Sequence, residues 1–468
     1  MQTSILRRPR WLRVLLTLLV LPAAAAAEPP PDTRISTVLD HIRAADIRAY
    51  DERLVAFGTR NTLSETESDT HGIGAARRWI KQELDRCATR SGGRMTVSFD
   101  SYVEPAGRLL AKPVEVVNVV ATLPGTATPE RVLVVSGHYD SRASDVMNAT
   151  IDAPGADDDA SGTAAMMAMA CAFAPYRWPA TLVFMAVAGE EQGLWGANHW
   201  ADTAAKAHRN IIGMVTNDII GSPVGDAGQR DDMQVRLFAD GLSPLLQMIV
   251  AARQNQPDSG ALADVRTIAS TGGGEDTPTS QLGRYLKDAG ERYLPGFTVK
   301  LIGRRDRFLR GGDHLPFLER GYPAVRFTEP FENFAHQHQD VRVVDGVQFG
   351  DLSRFVDVPY VTRVAQVNAA GLASLALAPA APRDVGLEVT ELTNDSTLHW
   401  TPPDDDTVAG FRVYWREAGS PVWQHSEDVG TVTRYTLKGV SKDNNLFAVS
   451  TVNQAGEASL PVFPRPVR

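Results

Sequence analysis

A histidine, several paired or tripled carboxylates and a second histidine each follow an apolar run in this chain, and these residue types together suit a metal-dependent reaction. His138 comes after Val132 to Val135 and Ser136-Gly137, with Asp140 two residues on. An imidazole that binds a metal usually gives its other N–H to a carboxylate, so His138 reads as a ligand and Asp140 as the group that orients it. Asp157, Asp158 and Asp159 then stand in a loop flanked by Gly155 and Gly162. Adjacent carboxylates raise one another's cost of ionisation, and a bound cation offsets that cost. Taken alone, the stretch reads equally well as a solvated acidic turn.

The elements around these residues decide between the two readings. Met95 to Phe99, Val114 to Thr122 and Val132 to Val135 read as strands with an antiparallel edge. A helix from about Gly162, a strand over Thr181 to Val187, a helix over Leu194 to Lys206 and a strand over Ile211 to Thr216 follow. This β-α-β-α order predicts an α/β fold, a mixed but mostly parallel sheet sandwiched by helices, with ligands beyond the carboxyl ends of the strands. The strand ends deliver His138, then Glu190-Glu191, then Asn217-Asp218 to one edge, and Gly312-Asp313-His314 adds an imidazole after a strand-like Phe297 to Ile302. That convergence favours a metal site over a solvated turn, and one His with carboxylates for each of two metals sharing an Asp suits zinc.

Gly137-His138-Tyr139-Asp140-Ser141, Ala153 to Gly162, Gly189-Glu190-Glu191-Gln192-Gly193-Leu194-Trp195-Gly196, Asn217-Asp218 and Asp313-His314 resemble, in order and spacing, the M28 family of co-catalytic zinc aminopeptidases. The resemblance covers roughly residues 35–377 and implies a zinc exopeptidase-like fold acting on the N-terminus of peptides. It also implies two Zn(2+) ions bridged by Asp158, one held by Glu191 and His314, the other by His138 and Asp218. Glu190 becomes the general base, which is free for this because Glu191 holds the metal, and the Asp158–Asp159 peptide is expected to be strained or cis. Neighbours at a strand end point in opposite directions, so the two glutamates can take different roles. The tyrosine that often steadies the oxyanion in the family has no counterpart between Leu294 and His314, leaving Tyr285, Tyr293 and the run Arg304 to Arg310 as candidates. His336 and His338 resemble the family's His-rich loop after the site; the composition alone reads as an exposed polar loop.

Residues 1–27, with Arg7, Arg8, Arg10 and Arg13 ahead of an apolar run to Leu21 and then Ala23 to Ala27, read as a signal peptide. This predicts a secreted or periplasmic protein, and no later apolar run is long enough for a transmembrane anchor. With 47 Lys and Arg against 56 Asp and Glu, and no basic cluster resembling a groove reader, nucleic acid is excluded as an expected partner. Cys87 and Cys171, the only cysteines, fall in helical apolar patterns and read as small core residues more readily than as a bridge. Residues 28–378 form the expected peptidase domain, 379–382 a Pro/Ala linker, and 383–468 a small all-β sandwich. Trp400 and the run from Phe447 give that sandwich a resemblance to fibronectin type III domains, with cell-surface or polymer contact as its expected role and a separable module as the expected organisation. Two rival functions stand beside the aminopeptidase: a glutaminyl cyclase-like enzyme, and a surface-binding protein with an inactive hydrolase scaffold.

Overall fold

The computed structural model describes residues 32–240, 271 and 273–468; the expected signal peptide lies outside them. An eight-stranded sheet is built from β1 (Thr96–Glu104), β2 (Val114–Leu123), β3 (Thr128–His138), β4 (Ala180–Val187), β5 (Asn210–Asn217), β6 (Gln234–Phe238), β7 (Thr298–Ile302) and β8 (Ala324–Thr328), in the order β1-β2-β4-β3-β5-β8-β6-β7. The central β4, β3, β5 and β8 are parallel, while β1–β2, β2–β4 and β6–β8 are antiparallel. The mixed, mostly parallel core predicted from the alternation of strands and helices is therefore present. All eight residues of β4 are buried, as expected of a parallel strand covered on both faces.

Two apolar layers sandwich the sheet. On one face lie α1 (Thr33–Asp40), α2 (Ala44–Val55), α3 (Gly72–Thr89), α4 (Gly162–Phe173), α7 (Pro278–Tyr293) and α9 (Val358–Leu377); their apolar residues share one core cluster with Leu133, Val135 and Phe184 of the strands. The other face packs Ala197, Trp200 and Ala201 of α6 (Trp195–Lys206) and Phe317 of α8 (Leu315–Glu319) against Val134, Val183 and Met185. Every residue of α4 is buried, which explains its unbroken run of Ala and Met. Gly162 opens this helix because a Cβ there would lie 2.2 Å from the Asn217 carbonyl oxygen and 2.5 Å from the Asp159 carboxylate. The start of α4 is thereby pressed onto the carboxyl end of the sheet.

Cys87 on α3 and Cys171 on α4 form a disulfide with Cα atoms 4.8 Å apart, correcting their reading as separate core thiols. The two helices lie side by side, and the spacing that looked merely apolar places both sulfurs at their contact.

Between β8 and α9, β9 (Arg342–Val344) and β10 (Val347–Phe349) pair as a two-stranded sheet. After α9 the chain forms a sandwich of a four-stranded sheet, β15-β12-β11-β17, and a three-stranded one, β14-β13-β16, with β11 at Arg383–Glu388, β12 at Ser396–Thr401, β13 at Gly410–Glu417, β14 at His425–Gly430, β15 at Arg434–Leu437, β16 at Asn445–Val452 and β17 at Arg465–Val467. Trp400, Phe411, Val413 and Phe447 fill its core. The sandwich is not loosely tethered. Asp276 holds Arg284 of α7 at 2.9 Å and Arg416 of β13 at 2.7 Å, all three buried. Arg284 Nε also donates to the Pro421 carbonyl at 2.7 Å, and Trp423 Nε1 donates to Gln281 of α7 at 3.1 Å. At the junction itself Arg131 donates to the Ala378 carbonyl at 2.7 Å and Asn453 to the Leu377 carbonyl at 3.1 Å. No helix among the described residues is long and apolar enough to cross a membrane.

Candidate metal centre

The central strands bring their terminal residues together at one edge of the sheet. His138 ends β3, Asp218 follows β5, and Asp158 comes from the turn between β3 and α4. These three each offer one ligand atom within 4.8 Å of the others, as do Asp158, Glu191 and His338. His138 Nε2 stands 3.1 Å from Asp158 Oδ1 and 3.9 Å from Asp218 Oδ1, while His338 Nε2 stands 2.9 Å from Asp158 Oδ2 and 3.4 Å from Glu191 Oε2. Asp158 thus turns one oxygen to each group. The Asp158–Asp159 peptide is cis, as the resemblance implies.

Surrounding residues hold these donors in place. Asp140 lies behind His138, whose Nδ1 stands 3.1 Å from the Asp140 backbone carbonyl and 3.5 Å from its Oδ1, and the carboxylate also accepts from Thr62 Oγ1 at 3.2 Å and from the backbone N–H groups of Glu190 and Glu191, each at 3.3 Å. One residue therefore orients the imidazole, through its carbonyl and the nearby carboxylate, and caps the turn that carries both glutamates. The Asp159 carboxylate accepts from the His138 and Gly162 N–H groups, each at 2.9 Å, tying β3 to α4. Arg326, fully buried on β8, grips Asp218 Oδ1 at 2.6 Å.

Three supports gave no signal in the sequence. Asp351 accepts from the Asp157 and Asp158 N–H groups, at 2.7 Å for the latter, from a loop almost two hundred residues on. Arg60, buried after α2, donates to the carbonyls of Tyr139 at 2.7 Å, Leu54 at 3.1 Å, Pro154 at 2.5 Å and Gly155 at 2.8 Å, closing the loops around the site. Thr62 Oγ1 accepts from the Gly189 N–H at 3.0 Å while it donates to Asp140. Apart from the Leu54 and Asp140 contacts, these are long-range side-chain-to-backbone bonds, which no local pattern announces.

Of the later imidazoles, His338 joins a donor group with Asp158 and Glu191. His314 joins neither donor group. It sits ahead of α8 with no solvent exposure; its Nε2 donates to the Arg305 carbonyl at 2.5 Å, while its Nδ1 is buried without a hydrogen-bond partner. His338 lies on the loop after β8, where its side chain remains about a third exposed, at 32%. The Gln337-His338 context in an irregular loop looked like exposed polar sequence, and only the resemblance to a His-rich loop pointed to it. Glu190 and Glu191 also depart from the strand-end picture. Gly189, in the left-handed region at φ 75°, ends the strand, and both glutamates lie in the short helical turn α5 (Glu190–Gly193). Their side chains therefore diverge by about 100° rather than pointing to opposite faces. The two tyrosine candidates are engaged elsewhere: the Tyr293 hydroxyl accepts from the Asp32 N–H at 2.8 Å, and half-buried Tyr285 packs against the main core.

The electrostatics of the cluster ask for positive charge. Burial disfavours an imidazolium at His138, but Glu190, Asp140, Asp158 and Asp218 outweigh it and hold its pKa well above the ordinary value. Burial likewise opposes ionisation of Asp158, yet contact with His138 and His338 keeps its pKa well below the carboxylate range. Glu190 and Glu191 are raised well above theirs, by burial first and then by neighbouring carboxylates, Asp218 and Asp313 for Glu190, Asp158 and Glu190 for Glu191. Asp313, with both oxygens buried and unpartnered, is pushed up by burial to about 8. Bound cations would favour the ionised carboxylates directly.

His138 Nε2, Asp158 Oδ2 and Glu191 Oε1 are buried without a hydrogen-bond partner. Such orphans are costly unless something else satisfies them. Imidazole nitrogens and carboxylate oxygens, with no thiolate, form a donor set that fits zinc.

Comparison with known proteins agrees with this chemistry. Residues 118–267 match the profile of peptidase family M28, and residues 380–465 that of the fibronectin type III domain. A probable zinc metalloprotease of Leptosphaeria maculans is 46% identical over 438 residues, covering 94% of this chain and 98% of its own. One from Pyricularia oryzae is 46% identical over 441 residues, covering 93% and 85%. Among solved structures, the Legionella pneumophila LapA aminopeptidase shares the fold, with a TM-score of 0.52 at 18% identity over 74% of this chain and 76% of its own. With relatives of such similarity along nearly its whole length, the chain belongs to peptidase family M28, the family of these zinc metalloproteases, and carries a fibronectin type III domain behind the peptidase fold.

Proposed function

We propose that the protein is an exported two-zinc aminopeptidase that removes residues from the N-terminus of peptides. The observation that carries the reading is Asp158, whose two oxygens each face a separate donor group. His138 and Asp218 would hold one zinc and Glu191 and His338 the other, with Asp158 belonging to both donor groups. Zinc in this site would polarise the scissile carbonyl and make water a better nucleophile near neutral pH. Glu190, adjacent to a ligand but outside both donor groups, takes a proton from the attacking water and returns it to the departing amine. Asp140 acts through others: it fixes the His138 ring and the turn that aims Glu190.

Action at the free N-terminus follows from the resemblance of the five motifs. Export is supported by the leader-like residues 1–27 and by the Cys87–Cys171 disulfide, a bond that persists in oxidising compartments. The peptidase domain is assigned to residues 28–378 and the sandwich to 383–468, joined by 379–382. A glutaminyl cyclase-like activity is disfavoured by two complete donor groups, and a purely surface-binding role by the presence of Glu190 beside them. The deciding experiment offers one peptide with a free and with an acetylated N-terminus and follows released amino acid. Cleavage of the free form alone supports the reading; equal cleavage of both, or pyroglutamate formation from an N-terminal Gln without release of amino acid, contradicts it.

A further inference from the structure

Hydrolysis by the proposed route passes through a tetrahedral oxyanion, and neither tyrosine considered for its support is in the site. We infer that Arg142 stabilises this oxyanion, an assignment that rests on the functional reading above. Arg142 lies on the loop leaving β3, four residues beyond His138. Its Nε donates to the Ala143 carbonyl at 3.0 Å and its Nη2 to the Ser144 carbonyl at 2.9 Å, which fixes the plane of the guanidinium. The loop is held in turn by Asp340, whose Oδ1 accepts from the Ser144 N–H at 3.1 Å. Asp340 lies two residues beyond His338, so the guanidinium and the second donor group are fixed to each other.

The remaining nitrogen, Nη1, stands 3.9 Å from Glu191 Oε2, the oxygen that faces His338. That is too far for a hydrogen bond. Nη1 makes none among the described residues, and the side chain keeps 20% of its exposure, enough for a ligand to reach it. A cation bound at Glu191 would take up the negative charge that now faces Arg142, leaving a fixed donor for an anion. The other arginines considered are engaged: Arg326 by Asp218, Asp306 and the Gly311 carbonyl, Arg307 and Arg310 by Glu332, Arg305 by Glu319, and Arg304 over the Phe308 ring.

In the step concerned, the water oxygen bonds to the carbonyl carbon, its proton passes to Glu190, and the carbonyl π pair moves onto oxygen. Arg142 Nη1–H donates to that oxyanion. Collapse restores the carbonyl, breaks the C–N bond and sends the proton from Glu190 to the amine. A rigid guanidinium aimed where charge develops favours the transition state over the neutral carbonyl of the substrate.

The test uses zinc-loaded full-length wild type, Arg142→Lys and Arg142→Met. It measures zinc content, kcat and KM on a peptide amide and the matching free acid, and calorimetric affinity for a phosphinic peptide, which mimics the tetrahedral anion, and for the free amino acid product. Phosphinate affinity and kcat should fall together by roughly 10²–10³-fold in Arg142→Met, with partial retention in Arg142→Lys. Zinc content, KM and product affinity should stay near wild type. Unchanged phosphinate affinity, loss of zinc, or a rise of KM confined to the free acid would each overturn the assignment; the last would mark Arg142 as a contact for a substrate carboxylate. A wild-type protein that neither cleaves the peptide nor binds the phosphinate overturns the functional reading itself, whereas an active wild type with unaffected variants overturns the role of Arg142 alone.

Discussion

Replacing His338 or His314 by Ala should separate a ligand from a structural histidine. His338 is 32% exposed and its contacts are with Asp158 and Glu191, so its loss removes one of three donors from the second group and little packing. We expect zinc to fall from about two ions per chain to about one, because a two-donor remnant is a poor zinc site. Stability of the metal-free protein should change by no more than about 0.5 kcal/mol, as for other partly exposed positions. His314 has no exposure, and its Nε2–H satisfies the Arg305 carbonyl. Truncation there leaves a cavity and an unpaired acceptor, together worth roughly 2–4 kcal/mol, with both zinc ions retained. The assay pairs elemental analysis of the loaded proteins with denaturant unfolding of chelator-treated ones, since bound metal stabilises the native state by mass action and would mask the difference. Retention of both ions by His338→Ala, with zinc lost from a still-folded His314→Ala, would refute the assignment.

Two further expectations follow from buried charge. Asp51, 2% exposed on α2, has a pKa raised by burial to about 7 against an ordinary 3.8, with Arg60 opposing the shift. The folded state therefore holds this proton more tightly than the unfolded chain. The stability it contributes is full below pH 4 and is lost as pH rises to about 7, so Asp51→Asn should gain on wild type across that window, by up to about 4 kcal/mol; a gain that does not vary with pH in unfolding experiments would count against it. Removing the sandwich by ending the chain at Pro379 takes Arg416, the Pro421 carbonyl and Trp423 away from Asp276, Arg284 and Gln281. Breaking such a buried pair on one side costs up to about 3–5 kcal/mol, so the truncated peptidase should melt well below the full chain, and Arg416→Met should reproduce part of the loss. Equal melting of the full and truncated chains would restore the picture of an independent module.

What was legible in the sequence is what local pattern can encode. Buried parallel strands read as short Val and Leu runs, and their ends named His138, Glu190, Glu191 and Asp218, since each ligand adjoins the strand that delivers it. The turn from Ala153 to Gly162 was visible by its carboxylates. His338 was named only through the resemblance of its loop and not apart from His336, because it comes from an irregular loop after β8 and its place is set by contacts with the distant Asp158 and Glu191. The disulfide depended on α3 meeting α4, and the bracing of the sandwich on Asp276 depended on residues 140 positions apart. Arg60, Thr62 and Asp351 act through backbone groups of distant loops, and nothing in their neighbours marks that use.

The central claim, that a two-zinc centre works with Glu190 as its base, is tested most directly by measuring zinc and rate on the same samples of Glu190→Gln and Glu191→Gln. Glu190 lies outside both donor groups and Glu191 within one. Glu190→Gln should keep about two zinc ions while the rate falls by roughly 10²–10⁴, the usual worth of general-base catalysis, and Glu191→Gln should lose or weaken one ion. A Glu190→Gln protein that sheds metal, beside a Glu191→Gln protein that keeps both ions and is merely slower, would contradict the account and invert the two roles.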